Sequence, residues 1–161
     1  MPLSPRQSLA TALESITDIA RCAHRAGVTP REFANAQVAR PCPTIPFLRI
    51  CVAIQHDPLP SIPHKMPEKP SDFDFGFFAM GFRIRRALNL HDENAAASAI
   101  GVSRETVCRI ERGDRLLIGV VLRACTYAGI HVFGYMAPAN WPVMHVSHET
   151  SVGVTRGQTV G

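Results

Sequence analysis

Apolar residues recur at helical spacing near the start of the chain. Residues 8–26 contain no proline, and Leu9, Leu13 and Ile16 lie three and four positions apart. That spacing places the three side chains on one face of an α-helix. The pattern therefore predicts helical structure over residues 4–57, with an apolar stripe that packs against a core.

A proline-rich segment follows this helical region. Residues 58–71 contain five prolines, which are Pro58, Pro60, Pro63, Pro67 and Pro70. Proline fixes φ and lacks a backbone N–H, so a helix cannot continue through such a segment. We therefore predict a semi-rigid linker over residues 58–71, a second helical region over residues 72–138, and a C-terminal tail over residues 139–161.

The two helical regions carry an internal repeat at an offset of 74 residues. Residues 27–29 (Gly-Val-Thr) correspond to residues 101–103 (Gly-Val-Ser), and residues 48–51 (Leu-Arg-Ile-Cys) correspond to residues 122–125 (Leu-Arg-Ala-Cys). Within each region the two matching segments begin 21 residues apart, without a gap. Two matches at one separation indicate a duplication. We call residues 4–57 the first copy and residues 72–138 the second copy.

The pattern over residues 94–113 predicts two short helices joined by a tight turn. Gly101 supplies the backbone freedom that a turn of three or four residues requires, and Ser103 can cap the second helix. Val107 and Ile110 lie three positions apart and face inward, whereas the charged residues of this helix face outward. The second helix therefore exposes arginines near its N-terminal half, where a recognition helix presents side chains to DNA bases.

The stretch AIGVSRETVCRIERG and the following VVLRACTYAGI resemble the Cro and phage-repressor helix-turn-helix family, also called XRE. The resemblance spans residues 81–138. Together with the duplication it predicts an all-α fold of two small lambda-repressor-like helical bundles in tandem. It implies that the recognition helix Ser103–Arg112 lies in the DNA major groove. The residues implied to contact DNA are Ser103, Arg104, Glu105, Thr106, Arg109, Arg112 and Arg115.

The resemblance also implies different roles for these side chains. Arg104, Glu105 and Arg109 would face base edges, where the planar fork of arginine can donate two bonds to a guanine. Ser103 and the two arginines at the helix end and in the following loop would contact phosphates. Phosphate contacts supply affinity that depends on salt but not on sequence.

Two further features follow from the same comparison with the family. An arginine of the first helix of the bundle commonly pairs with a glutamate late in the recognition helix. Glu111 matches that glutamate, and its partner would be Arg86 or the neighbouring Arg85. This sequence departs from the family at Asp92 and Glu93, where glutamine is common. Acids there would repel phosphate unless they cap the helix.

The first copy preserves the turn and the core positions but changes the polar ones. Pro30 stands where the second copy has Arg104, and Asn35 stands where it has Arg109. The candidates for a second DNA-binding surface are Thr29, Arg31, Asn35 and Arg40. Either this copy reads a different half-site, or it keeps only the fold and serves as a docking surface.

The segment between Gly129 and Pro138 is rich in β-branched and aromatic residues, which predicts a short C-terminal β-strand. An isolated strand leaves N–H and C=O groups open, and XRE antitoxins pair such a strand in a dimer. We therefore expect a homodimer. The alternative is a fifth helix that packs back on the bundle.

The remaining chemistry-bearing residues predict little. Five cysteines without a CxxC pair are typical of reduced, cytosolic thiols. Cys108, on the recognition helix, would either sense oxidation or be neutral. His145 and His148 lack a nearby cysteine or acid cluster, so we expect no metal site. The aromatic cluster favours core packing over base stacking, and its members are Phe73, Phe75, Phe77, Phe78 and Phe82.

The overall composition is compatible with a nucleic-acid-binding protein. Arginine and lysine total 17 against 13 acids, which gives a formal net charge of +4. We find no apolar run long enough for a membrane span, no secretory signal, and no catalytic arrangement or cofactor motif. We therefore expect a cytoplasmic, nucleoid-associated transcriptional regulator, a repressor that occupies a double-stranded DNA operator and is not an enzyme.

Two alternatives to this function stay open. The first is an antitoxin or partner-binding regulator whose N-terminal copy or C-terminal segment docks another protein. The second is an interaction module that has lost DNA binding.

Overall fold

The structure is a computed structural model, and it describes residues 1–137. Within that range the chain is all-α, as the sequence predicted. The eight helices are α1 Pro5–Leu13, α2 Ile19–Ala26, α3 Pro30–Gln37, α4 Thr44–Ala53, α5 Phe75–Leu88, α6 Glu93–Ile100, α7 Arg104–Glu111 and α8 Ile118–Ala128. None of these helices is long and apolar enough to cross a membrane. The C-terminal tail over 139–161 lies outside the described residues, as do His145 and His148.

Six of these eight helices begin at a side chain that accepts a backbone N–H of the first turn. The capping residues are Ser4, Asp18, Thr29, Asp74, Asp92 and Ser103. Such side chains satisfy donors that the helix itself leaves without partners. The two helices without a side-chain cap are α4 and α8, which occupy equivalent places in the two copies.

The backbone repeats at the same offset of 74 residues as the sequence. The bounds of α2 and α3 become those of α6 and α7 when 74 is added to each residue number. Positive φ angles recur in the same way: Gly27 and Gly101 have 73° and 84°, Ala39 and Gly113 have 59° and 76°, and Gln55 and Gly129 have 58° and 69°. Left-handed backbone is uncommon outside glycine, so three recurrences place both copies in one fold.

The two copies share a continuous hydrophobic core. In the first copy α3 packs on α1 and α2, and in the second copy α7 packs on α5 and α6. The helices α4 and α8 pack against each other and join the two halves. The proline-rich segment lies against the same core, because Leu59 is buried and Ile62 and Met66 are partly buried.

Equivalent residues of the two copies contact each other just before α4 and α8. Pro43 and Leu117, which are 74 positions apart, form an isolated antiparallel bridge. The Ile118 N–H donates to the Cys42 carbonyl at 3.0 Å. The buried Thr44 hydroxyl donates to the Leu116 carbonyl at 2.8 Å. The first bond satisfies the opening N–H of α8, and the second joins the start of α4 to the segment that precedes α8.

A second pair of equivalent residues meets beyond the other end of the same helices. Asp57 and His131 are also 74 positions apart, and His131 Nε2 lies 2.7 Å from Asp57 Oδ1. The His131 ring is buried, and its Nδ1 accepts the Phe133 N–H at 3.0 Å. With Nδ1 accepting, Nε2 carries the proton and donates to the carboxylate.

The prediction of a β-strand between Gly129 and Pro138 is wrong for the described residues. Residues 132–135 form a 3₁₀ helix, because the His131 ring accepts the Phe133 N–H while Val132 and Phe133 are buried. Only Met136 pairs in the manner of a strand, in an isolated antiparallel bridge with Phe73 of the same chain. Packing against the core overrides the local preference of the branched and aromatic residues.

Candidate nucleic-acid interface

The second copy places α6 and α7 in a helix-turn-helix. Gly101 ends α6 with a left-handed φ of 84°, and the Ser103 hydroxyl accepts the Thr106 N–H at 3.1 Å at the start of α7. Val107 and Ile110 are buried against the rest of the bundle. The opposite face of α7 is exposed to solvent, and it carries most of the side chains that the sequence predicts to contact DNA.

Arg104, at the start of α7, is exposed but paired. Its guanidinium lies 2.9 Å from a carboxylate oxygen of Glu93, the second residue of the acidic pair that departs from the family pattern. Asp92, the first residue of that pair, caps α6 by accepting the Ala95 N–H at 2.8 Å. The acids at the start of α6 therefore have structural partners, and Glu93 neutralises an arginine that was predicted to read a base.

The arginines at the end of α7 converge on Asp114, which the sequence analysis did not single out. Arg112 lies 2.9 Å from Asp114 and 3.4 Å from Glu105. Its hydrogen bond to Asp114 raises the pKa of the guanidinium. Arg109 lies 3.7 Å from Asp114 and donates to the carbonyl of Arg115 at 3.2 Å. An acid two positions after Arg112 was the available signal for this cluster.

Arg86 and Glu111 form a two-pronged ion pair that joins α5 to the end of α7. The Arg86 Nε donates to one carboxylate oxygen and Nη2 donates to the other, the latter at 3.0 Å. Nη1 also donates to the His91 carbonyl at 3.0 Å. The hydrogen bond to Glu111 raises the pKa of Arg86. The pairing that the family resemblance implies is therefore present, and it involves Arg86 rather than Arg85.

Cys108 lies beside the same acid as Arg104. Its thiol donates to Glu93 at 3.5 Å, and desolvation together with this bond raises the pKa of the thiol. A raised pKa disfavours the thiolate that reacts with oxidants. This environment favours the neutral interpretation of Cys108. All five cysteines are unpaired thiols.

The first copy presents its predicted side chains differently. Thr29 caps α3 reciprocally with Glu32, since each side chain accepts the backbone N–H of the other residue, at 3.1 and 2.8 Å. Arg31 and Arg40 are exposed, and neither makes an ion pair with any residue of the described range. Asn35 is half-buried in the middle of α3.

The charge of the two helix-turn-helix regions differs in sign. Residues 18–41 contain four arginines and two acids, whereas the equivalent residues 92–115 contain four arginines and five acids. One of those five acids, Glu111, is already paired with Arg86 from outside the region. The copy whose sequence looks more degenerate therefore has the more positive surface.

The remaining candidates lie away from these helices. Phe73, Phe78 and Phe82 are buried, and the Phe73 ring packs on Phe75 and Phe78 with centroids 4.9 and 5.3 Å apart. These three rings are therefore core packing, whereas Phe77 is 42% exposed and packs on Tyr135 with centroids 4.9 Å apart. Residues 1–137 contain no group of three side chains placed to hold a metal ion.

Comparison with protein-family models, with curated proteins and with solved structures finds no match to this chain.

Proposed function

We propose that the protein is a sequence-specific double-stranded DNA-binding regulator that represses transcription by occupying an operator. The observation that supports this function is the outer face of α7. A capped helix start, a left-handed turn glycine and two buried apolar residues fix the helix, and they leave Arg104, Arg109 and Arg112 on the solvent side. Arginines on such a face suit guanine edges and phosphates.

DNA binding by the second copy requires its arginines to exchange partners. Arg104 and Arg112 keep more than half of their side-chain surface exposed, at 63% and 54%. Solvent screens ion pairs at such exposure, so they contribute little to stability. A bidentate contact to the correct base discriminates by about 1–3 kcal/mol. Binding by the second copy is therefore favourable on a matching sequence. Binding to other sequences is weak, because the acids remain near the DNA phosphates.

The function is tested by selecting binding sites from a random double-stranded DNA library. We expect wild type to select a discrete motif and the double variant Arg104→Ala/Arg109→Ala to lose it. A matched control, Lys65→Ala/Lys69→Ala, removes two exposed charges from the proline-rich segment and should keep the motif. A wild-type protein that selects no motif and binds only at low salt would contradict the proposal.

A partner-binding regulator of the antitoxin type is the second candidate. One observation favours it: Met80, Ile84 and Leu88 lie along one side of α5 and are 53%, 59% and 69% exposed. Exposed apolar side chains in a row are typical of protein contact surfaces. In the selection experiment this candidate predicts no motif for wild type and no effect of the arginine variants.

A further inference from the structure

The contacts between the two copies follow a two-fold pattern. In a symmetric dimer, residues on the axis contact their own equivalents in the other subunit. Here two such contacts occur within one chain, Pro43 with Leu117 and Asp57 with His131. Both pairs are separated by the repeat offset of 74 residues. A pseudo-two-fold axis therefore passes through both contacts.

The direction of this axis follows from where the two contacts lie. One pair precedes α4 and α8, and the other follows them, so the two helices run side by side in the same direction along the axis. The recognition helices α3 and α7 end shortly before the first pair. Short segments therefore tether both recognition helices to the same end of the axis.

The connecting segments permit the spacing of half-sites on DNA. Pro43 on the axis lies six positions after Gln37, the last residue of α3, and six fully extended residues would span at most about 21 Å. The equivalent segment follows α7. The centres of two half-sites one helical turn apart lie about 34 Å from each other. Each recognition helix is thus tethered close enough to the axis to address its own half-site.

The two recognition helices carry different base-reading chemistry. At equivalent positions α3 has Asn35 and α7 has Arg109. Asparagine suits the N6 and N7 atoms of adenine, whereas arginine suits the O6 and N7 atoms of guanine. Arg31 and Arg40 of the first copy make no ion pair within the described range, so they can contact phosphates without exchanging a partner.

From these observations we infer that one chain covers one asymmetric operator, made of two inverted and non-identical half-sites. The second copy reads the half that contains the guanine, and the first copy reads the half that contains the adenine. The inference rests on the proposed function. A homodimer is not required for this arrangement. The two-fold contact that would otherwise join two chains forms here between the two copies of one chain.

The test begins with the motif that full-length wild type selects from the random library. We expect two dissimilar halves in inverted orientation, with centres about 34 Å apart. Native mass spectrometry of the complex on that site should give one chain for each duplex. Two chains on a symmetric site, or a motif with a single half, would overturn the inference and leave sequence-specific binding intact. The absence of any motif would overturn the proposed function as well.

Variants then connect each half to its copy. Asn35→Ala should weaken binding to the selected site about 5- to 150-fold. Replacing the adenine of that half-site should then leave the affinity of the variant unchanged. Arg109→Ala should give the same pattern for the guanine of the other half. Circular dichroism confirms that both variants fold, and the exposed Arg31→Ala serves as a second variant that reduces the salt dependence of binding. Equal loss on both halves from one variant would contradict the inference.

Discussion

The two copies fasten the end of the recognition helix to the first helix by different chemistry. In the second copy Glu111 accepts two bonds from Arg86, and Arg86 also donates to the His91 carbonyl. In the first copy Gln37 occupies the place of Glu111. Its amide donates directly to the carbonyls of Leu13 and Ile16, at 3.2 and 3.0 Å. One backbone arrangement is therefore supported by an ion pair in one copy and by a neutral amide in the other.

The same difference extends to the outer surface. The second copy uses acids both to hold its fold and to neutralise its arginines, whereas the first copy leaves Arg31 and Arg40 without such partners. The copy with the more degenerate sequence motif is thus the one that keeps exposed arginines without ion-pair partners in the described range. What matters for phosphate contact is which arginines have a neighbouring acid.

Among substitutions that test this difference, we expect the largest losses of stability from removing Glu111 or Gln37, the side chains that hold the ends of α7 and α3. Glu111→Ala leaves Arg86 half-buried without its carboxylate, and we expect it to lower the free energy of unfolding by about 3 kcal/mol. Gln37→Ala removes two neutral bonds and should cost about 1 kcal/mol. Urea denaturation measures both. A cost for Gln37→Ala equal to that for Glu111→Ala would contradict the view that an ion pair supports only the second copy.

Substitutions at residues with left-handed backbone should change the stability by smaller amounts, but in opposite directions. Gly129→Ala places a Cβ at a φ of 69° with no atom within 4 Å of it, so only the backbone cost applies. We expect a loss of about 1 kcal/mol in thermal denaturation. Ala39→Gly, at a φ of 59° in the first copy, should raise the stability by a similar amount. A change of stability in the same direction for both substitutions would contradict the assigned backbone cost at these positions.

The contact between Asp57 and His131 predicts the smallest effect, a dependence of stability on pH. Burial lowers the pKa of His131, and the hydrogen bond and charge of Asp57 partly oppose this, while the nearby His64 adds to the lowering. The unfolded chain therefore binds a proton at His131 at a higher pH than the folded chain does. Stability is complete above a pH of about 6.5 and declines as the pH falls toward the pKa of the folded state.

The substitution His131→Gln should reduce that decline. Urea denaturation at pH 7.5 and pH 5.5 measures it, and His56→Asn measures the separate contribution of His56, because burial lowers the pKa of His56 as well. An unchanged decline in His131→Gln would show that the contact between the copies does not titrate as described.

Local patterns were enough to predict the helices and the turn of the second copy. Ser103 and Gly101 act at short range, as a cap and as a left-handed residue, so their neighbours in sequence determine what they do. The repeat predicted the first copy in the same way. The family resemblance added the pair of Glu111 with an arginine of α5.

Contacts between distant segments could not be predicted from the sequence. The bridge of Pro43 with Leu117 joins two loops with no distinctive pattern, and the 3₁₀ helix at 132–135 depends on packing against the shared core. The ion pair of Arg104 with Glu93 depends on side-chain directions across the turn between α6 and α7. Each of these depends on tertiary structure, which overrides or completes local preference.

The most direct test of the account is the selection of binding sites by the full-length protein from random double-stranded DNA. We expect one discrete motif with two dissimilar, inverted halves. A wild-type protein that enriches no motif over the library would contradict it.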